Sequence, residues 1–388
     1  MRRKVCSDNR QQSITRDMKA KELIQQNPYR VMGVSANAPL VLISTQNSWM
    51  KAYAAIGKAV YCPHDMTPVF GDSPSRKTGD LAAALAALST PMSRLTNGMF
   101  WFMNLTETDP EAFTILASEG DIKSAVRTWE TDPHGMSSLQ NRLVCCLLRG
   151  SRYYAEALRL ASELYTVYGA EFIRRISNGF DVIPPERLMS VFLRETAGHL
   201  EAETGRWDKA VERLGDDTVS LQWAEAKADR LVEALKKAVA VAKTTEIHVP
   251  KDHYRIADTL RRQSEPLLIR LRQLRNQHPV LLSRYASMAN EVCNEVSSRG
   301  ICYHNETFWF PGKREKVLKL EQFCYRYTMS IKGKRTARTN VNMSLSRRDD
   351  APLFPNGTPD NLNEDDRKKA NAGIGAILNA LARYKSNG

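Results

Sequence analysis

The sequence predicts an all-α protein, and three observations support this fold class. Apolar residues recur three and four positions apart in several long segments, the spacing of one helix face. Alternating stretches typical of strands are weak throughout, and residues 244–249, TTEIHV, are the only short candidate. Two similar segments place an alanine five residues after a glycine, as expected where two helices join and pack closely.

Composition describes a soluble chain with a positive charge. The 388 residues carry a net charge of +13, which favours polyanionic partners such as nucleic acid. No apolar run approaches the roughly 20 residues of a membrane span, and no apolar core follows the basic N-terminus as it would in a signal peptide. The seven cysteines are scattered and odd in number, which fits a reducing compartment. We therefore expect a cytoplasmic location.

The first elements are a charged lead-in over residues 1–26 and a compact module over residues 27–103. YRVMGVSANA, from Tyr29 to Ala38, and LAAALAALSTPMSR, from Leu81 to Arg94, occur in this order. Together they resemble the opening and closing motifs of the J domain, the DnaJ-type module of co-chaperones. The resemblance implies a helical module whose His-Pro-Asp loop contacts a chaperone ATPase.

The His-Pro-Asp tripeptide of the J domain does not occur at the corresponding position of this sequence. Counted without gaps from Gly33, the position of His-Pro-Asp in the J domain corresponds to residues 55–57, which are Ala-Ile-Gly. The nearest similar tripeptide is Pro63, His64 and Asp65, in which His and Pro are exchanged. Proline restricts its own φ and the residue before it, so the exchanged order changes the loop. The module is therefore interpreted as degenerate, and a chaperone ATPase is not the expected partner. An atypical co-chaperone that uses this loop is a further alternative.

Residues 104–338 are predicted to form a helical array, joined to the module by Phe100, Trp101 and Phe102. Adjacent aromatics bury well at a junction, so we expect these three to pack against the first array helix. Residues 116–130 and 200–214 align with each other, including Gly120 with Gly205. They resemble tetratricopeptide repeats, although generic helical hairpins explain the pattern equally well. Either arrangement is typical of binding surfaces rather than active sites.

The rest of the chain is predicted as longer helices, a linker and a terminal helix. One predicted apolar face carries Leu282, Tyr285, Ala289, Val292 and Val296. Residues 339–362 are polar and proline-containing, and are expected to be a disordered linker. Residues 363–388 are expected to form an amphipathic helix that docks on the array or binds a partner. Its candidate partner-binding residues are Ile374, Ile377, Leu378 and Leu381.

Catalytic and metal chemistry have little support in the sequence. No local Ser/His/Asp or Cys/His nucleophile motif and no phosphate loop occur. Cys62 and His64 supply two potential metal ligands, but nothing nearby supplies two more. We therefore expect no enzyme activity, no cofactor and no metal.

Basic residues provide the second functional hypothesis. Lys and Arg are dense in residues 254–338, where Phe323, Tyr325 and Tyr327 are interleaved and can stack on unpaired bases. The candidate polyanion-binding residues are Arg261, Arg262, Arg270, Arg272, Arg275, Lys313, Arg314, Lys332, Lys334, Arg335 and Arg338. The preferred function is a non-catalytic protein-interaction scaffold, and a nucleic-acid-associated protein is the alternative.

Overall fold

A computed structural model describes residues 19–58, 60–306 and 313–345. Every regular element in these ranges is a helix, and they contain no strand. The predicted all-α fold class is therefore confirmed. No helix in the described ranges is both long enough and apolar enough to cross a membrane.

The chain forms two compact units, Met1–Lys227 and Ala228–Gly388. The sequence predicted a boundary between residues 103 and 104. In the first unit, however, one cluster of buried apolar side chains runs from Ala20 to Ala226 and crosses that position. The module and the start of the array therefore share a core, and the array predicted over residues 104–338 divides after Lys227.

Local caps explain where the first helices begin. Asn27 Oδ1 accepts a hydrogen bond from the N–H of Tyr29 at 3.0 Å, and Pro28 occupies the first position of the helix that follows. Thr90 Oγ1 accepts from the N–H of Ser93 at 3.1 Å in the same way. The helices of this part are α1 (Ala20–Gln25), α2 (Pro28–Val31), α3 (Leu40–Ala55), α4 (Thr67–Phe70), α5 (Thr78–Ala87) and α6 (Pro91–Gly98).

Helical hairpins follow, as predicted. They comprise α7 (Thr108–Ser118), α8 (Ile122–Trp129), α9 (Met136–Arg149), α10 (Tyr154–Ile176), α11 (Leu188–His199) and α12 (Thr204–Leu214). Gly120 and Gly150 link paired helices at φ of +68° and +84°. The glycine turn predicted at Gly205 is wrong, because Gly205 lies in the first turn of α12. A 3-10 turn reverses the chain instead, held by buried Glu203, which accepts from the N–H of Ala20 at 3.2 Å.

The aromatic junction is buried as predicted. Phe100, Trp101 and Phe102 are at most 2% exposed. Trp101 Nε1 donates to the carbonyl of Val34 at 2.8 Å, while the ring centroid of Phe102 lies 6.1 Å from that of Trp129 on α8. These contacts tie the module to the first hairpin of the array.

The second unit contains longer helices, each packed against the next along the chain. They are α14 (Lys251–Gln277), α15 (Leu282–Glu306), α16 (Lys313–Tyr327) and α17 (Ile331–Leu345), preceded by α13 (Asp217–Thr244), within which the second unit begins. On α15, Tyr285, Ala289, Val292 and Val296 are buried as predicted. Leu282 is 47% exposed, because it begins the helix beyond the packed face.

The predicted linker begins later than expected. Residues 339–345 continue α17, and Asn340 is fully buried there, so a linker cannot start at residue 339. The remaining predicted linker, residues 346–362, and the terminal helix predicted over residues 363–388 lie outside the described residues.

Candidate protein-interaction face

Helix α3 buries apolar side chains on one side and exposes other large apolar side chains to solvent. Its inward side buries Ile43 and Met50, with Asn47 between them, and packs against α5. A surface helix normally shows one apolar stripe toward the core and polar residues outward. The outward side of α3 departs from that rule.

Four large apolar side chains on this outward side stay in solvent. Val41 is 77% exposed, Leu42 and Trp49 are each 42% exposed, and Ile56, the residue that ends α3, is 64% exposed. We call these four residues the α3 face. Leu42, Trp49 and Ile56 are spaced seven residues apart, the repeat by which one helix packs along another. The ring centroid of Trp49 lies 4.9 Å from that of Tyr53, which supports the indole at the centre of the face.

The chain segment that contains the α3 face carries positive charge only. From Leu40 to Pro63 the chain has no Asp or Glu, and its only charged residues are Lys51 and Lys58. An apolar face without carboxylates is poorly suited to a solvated surface. Lysines at its edge favour a ligand that brings negative charge.

A cavity of about 430 Å³ opens at the C-terminal end of α3. Met50, Ala54 and Val60 supply apolar lining, while Lys58 and Lys77 also line it. Both lysines are exposed. We call it the α3 cavity; none of the four residues of the α3 face lines it.

The doubtful co-chaperone loop has a structural role. Pro63, His64 and Asp65 form a 3-10 turn, and the carboxylate of buried Asp65 pairs with buried Arg76, whose Nη1 donates to Oδ2 at 2.9 Å. The ring of His64 lies against Phe113, and burial lowers the pKa of His64, which favours the neutral imidazole. The carboxylate is therefore directed into the module rather than toward a partner.

Sequence reasoning missed the two arginines that brace this turn. Arg30 is buried and donates from Nε to the carbonyl of Asp65 at 3.0 Å. Burial lowers the pKa of Arg30 to about 10. Arg76 donates to the carbonyls of Val31 and Val60, each at 2.8 Å. No local pattern links these arginines to Asp65, since they lie 35 and 11 residues away.

The described residues contain no group of three or more His, Cys, Asp or Glu side chains able to hold a metal ion. Cys62 and His64 therefore have no third such ligand grouped with them in that part of the chain.

Two of the predicted polyanion-binding arginines on α14 are neutralised by neighbouring carboxylates. Arg261 pairs with Asp258 at 2.9 Å and with Glu265 at 3.1 Å, and its side chain is only 12% exposed. Arg262 pairs with Asp258 at 2.5 Å. Arg261 is therefore engaged within the fold, whereas the Arg262 side chain, which shares Asp258 with it, is 68% exposed.

The remaining α14 arginines divide between aromatic contacts and solvent. The guanidinium of Arg272 lies 5.6 Å from the ring centroid of Tyr327, and that of Arg275 lies 5.2 Å from the ring centroid of Tyr285. Arg270 is exposed. Arg262 and Arg270 are thus the exposed residues among the five predicted polyanion-binding arginines of α14.

Helix α17 exposes all four of its predicted polyanion-binding residues. Lys332, Lys334, Arg335 and Arg338 are all exposed, and α17 contains no Asp or Glu. Lys313 and Arg314 begin α16, but their side chains lie outside the described part. The same is true of the predicted partner-binding residues Ile374, Ile377, Leu378 and Leu381.

The interleaved aromatics do not form the predicted stacking platform. Phe323 and Tyr327 are 4% and 1% exposed and pack in the second unit, whereas Tyr325 is 48% exposed. The helical period turns the first two toward the core because they are four residues apart. A single exposed tyrosine remains.

Comparison with protein-family models, with curated proteins and with solved structures found no match. The resemblances to the J domain and to tetratricopeptide repeats therefore stay predictions.

Proposed function

We propose that the protein is a non-catalytic interaction adaptor that binds an amphipathic helix of a partner protein on the α3 face. One observation supports this most strongly: Val41, Trp49 and Ile56 remain in solvent on a helix whose other side is already buried. Exposed apolar stripes of this kind mark binding surfaces in soluble proteins. In this proposal the J-like module acts as a scaffold that presents α3.

A partner helix fits this face better than a second copy of the chain. The heptad spacing of Leu42, Trp49 and Ile56 is the spacing at which side chains of two helices interdigitate. A second copy brings the same lysines, Lys51 and Lys58, and no carboxylate from its own α3. Like charges would accumulate in that interface without compensation.

The test uses full-length protein and a synthetic amphipathic peptide of about three leucine heptads. Trp49→Lys should weaken peptide binding by about thirtyfold or more, because a central aromatic anchor is typically worth about 2 kcal/mol or more. Fluorescence anisotropy of a labelled peptide measures this. The matched control is Val167→Lys, a substitution on α10 at a side chain that is 64% exposed, and it should leave binding unchanged.

Two results contradict the proposal. Equal peptide affinity of the wild type and Trp49→Lys would show that the α3 face is not the site. A wild-type dimer that Trp49→Lys converts to monomers, measured by sedimentation, would identify a second copy as the occupant instead.

The alternative function, nucleic-acid association, is favoured by one observation. The exposed cations of α17, from Lys332 to Arg338, have no carboxylate on their own helix. Basic groups on one helix face neutralise phosphates without reading sequence. An atypical co-chaperone is the weakest candidate, since Asp65 is held by Arg76.

A further inference from the structure

Helix α17 is held on the second unit by very little apolar burial. Its side chains are described over residues 331–342, and within that range only Ala337 and Asn340 are buried. An alanine side chain removes little apolar surface from water, so it contributes little to docking. The described part of α17 is therefore anchored by one methyl group and one amide.

The buried amide lies beside the carboxyl group of Glu321 on α16. Glu321 is fully buried, and the Ser297 hydroxyl donates to its Oε1 at 2.9 Å. The side chain of Asn340 is close enough to lower the pKa of Glu321, but neither its Nδ2 nor its Oδ1 makes a hydrogen bond in the described structure. Oε2 of Glu321 has no partner there either. Unsatisfied polar groups, which are costly to bury, thus lie at the contact between α16 and α17.

Packing between α15, α16 and α17 is also incomplete. A cavity of about 440 Å³ lies there, and its lining includes Ser297 from α15, Cys324 from α16 and Ala337 from α17. Ser297 is the residue that donates to Glu321. The hydrogen-bond partner of the buried carboxyl group therefore borders open space rather than packed atoms.

The composition of α17 makes the helix depend on its docking. Lys334 and Arg338 are four residues apart, a spacing at which like charges repel, and α17 contains no Asp or Glu to compensate them. Gly333, Thr336 and Thr339 have low helix propensities. Such a helix is stable mainly through tertiary packing.

No described cation balances a negative charge on Glu321. Lys319 and Arg326 lie on the same helix, but they pair with Asp258 and Glu265 of α14 at 4.0 and 3.2 Å. Among the described residues, only burial and the side chains that contact the carboxyl group set the pKa of Glu321. An ionised Glu321 would therefore be a buried charge without compensation.

The other groups around this carboxyl group do not change that conclusion. The Cys324 thiol donates to the carbonyl of Cys293 on α15 at 3.4 Å, and burial raises the pKa of Cys324 well above its ordinary value, so the thiol stays neutral. His304 is buried further along α15, where Glu295 pairs with Arg299 at 2.9 Å. The charged side chains of α17 are all exposed.

We propose that α17 is a pH-sensitive docking element, which packs on α16 while Glu321 carries a proton and opens once its carboxylate has formed. The least stable part of a structure opens first, and α17 has the weakest described anchoring in this unit's contact with α16. Opening hydrates the carboxylate and leaves α14, α15 and α16 packed together. It also frees a cationic segment, which makes this device independent of the α3 face.

The direction follows from two pKa values. Burial holds the pKa of Glu321 at about 7 in the docked form, and the open form should have the ordinary value of 4.5. Docking is therefore fully favoured below about pH 4.5 and is lost as pH rises through 7. The equilibrium constant for opening should rise by about tenfold per pH unit between these values and level off above them.

Hydrogen exchange of the full-length protein, followed by mass spectrometry of peptides from each helix, measures this opening. Protection factors are compared, because division by the intrinsic exchange rate removes the direct effect of pH on exchange. We expect protection of α17 to fall by about tenfold per pH unit between pH 5 and 7, or until it reaches the unprotected limit. Protection of α14, in the same unit, should change little.

Two variants assign the effect to one carboxyl group. Glu321→Gln keeps the shape of the protonated side chain and cannot ionise, so the protection of α17 should no longer depend on pH. Glu315→Gln, at an exposed carboxylate of the same helix, is the matched control and should retain the wild-type dependence.

Three results would overturn the proposal. Protection of α17 that is independent of pH in the wild type excludes it without any variant, even if Glu321→Gln fails to fold. Equal losses of protection in α14 and α17 would show that the unit opens as a whole. A pH dependence that survives in Glu321→Gln would assign the opening to another group, such as His304.

Discussion

At the scale of single residues, Glu321 on α16 is an unusual member of the second unit's core. It is fully buried, and the Ser297 hydroxyl donates to its Oε1 at 2.9 Å, while Oε2 has no hydrogen-bond partner in the described structure. Burial raises the pKa of Glu321 to about 7, and the polar side chains of Ser297 and Asn340 oppose that rise. A carboxyl group that is stable in its neutral form is thus built into the bundle.

This pKa predicts a loss of stability as pH rises. The unfolded chain releases the Glu321 proton near the ordinary pKa of 4.5, and the folded protein holds it to about 7. Stability is therefore fully present below about pH 4.5 and is lost as pH rises through 7. Glu321→Gln should remove this slope and gain on the order of 2–3 kcal/mol at pH 8, measured by denaturant unfolding between pH 5 and 8.

The exposed Glu315 on the same helix provides the control for that measurement. Glu315→Gln should retain the wild-type pH dependence, since this side chain lies in solvent. A wild-type slope that persists in Glu321→Gln would assign the titration to another group.

At the scale of elements, the turn between α7 and α8 depends on Gly120. It adopts φ of +68°, and a Cβ there would lie 3.0 Å from the backbone carbonyl atoms of Pro68. Gly215 adopts a similar φ of +66° after α12, but a Cβ there meets nothing within 4 Å. Comparing substitutions at the two glycines therefore distinguishes the energetic cost of backbone strain from that of a close contact.

This pair predicts unequal effects of alanine. Gly215→Ala should cost about 1 kcal/mol, because only the left-handed conformation is penalised. Gly120→Ala should cost at least about 2 kcal/mol, because backbone atoms of Pro68 must also move. Denaturant unfolding monitored by circular dichroism compares them, and equal losses would show that the contact with Pro68 is unimportant.

At the scale of the whole molecule, the net charge is +13, but the basic side chains are not equally accessible to a polyanionic partner. Arg261 is paired with two carboxylates and only 12% exposed, whereas Lys332, Lys334 and Arg338 on α17 are exposed. Any polyanion binding should therefore concentrate on α17 rather than follow overall charge.

Charge neutralisation tests this distribution. Replacing Lys332, Lys334, Arg335 and Arg338 together by glutamine should weaken binding to a single-stranded oligonucleotide and lower the slope of log affinity against log salt by about 3. Electrophoretic mobility shifts at several salt concentrations measure both. The control replaces four exposed cations of the first unit with glutamine: Lys21, Lys123, Lys209 and Arg213. An equal loss in the control would indicate diffuse attraction.

The sequence by itself determined the helical class, the buried aromatic junction and most of the core face of α15. These follow from local periodicity and from the size of side chains such as Trp101, which need no knowledge of distant contacts. The position of Gly205 was misread, because a buried contact of Glu203 with the N–H of Ala20 decides where that chain segment turns.

Only the tertiary structure decided which residues are left for function. It showed that Asp65 is held by Arg76 and Arg30, through contacts that span 11 and 35 residues. It also showed that Trp49 remains exposed on a helix whose other side buries Ile43 and Met50. The sequence of such a helix does not reveal which side its neighbours cover, because burial depends on packing between elements distant in the chain.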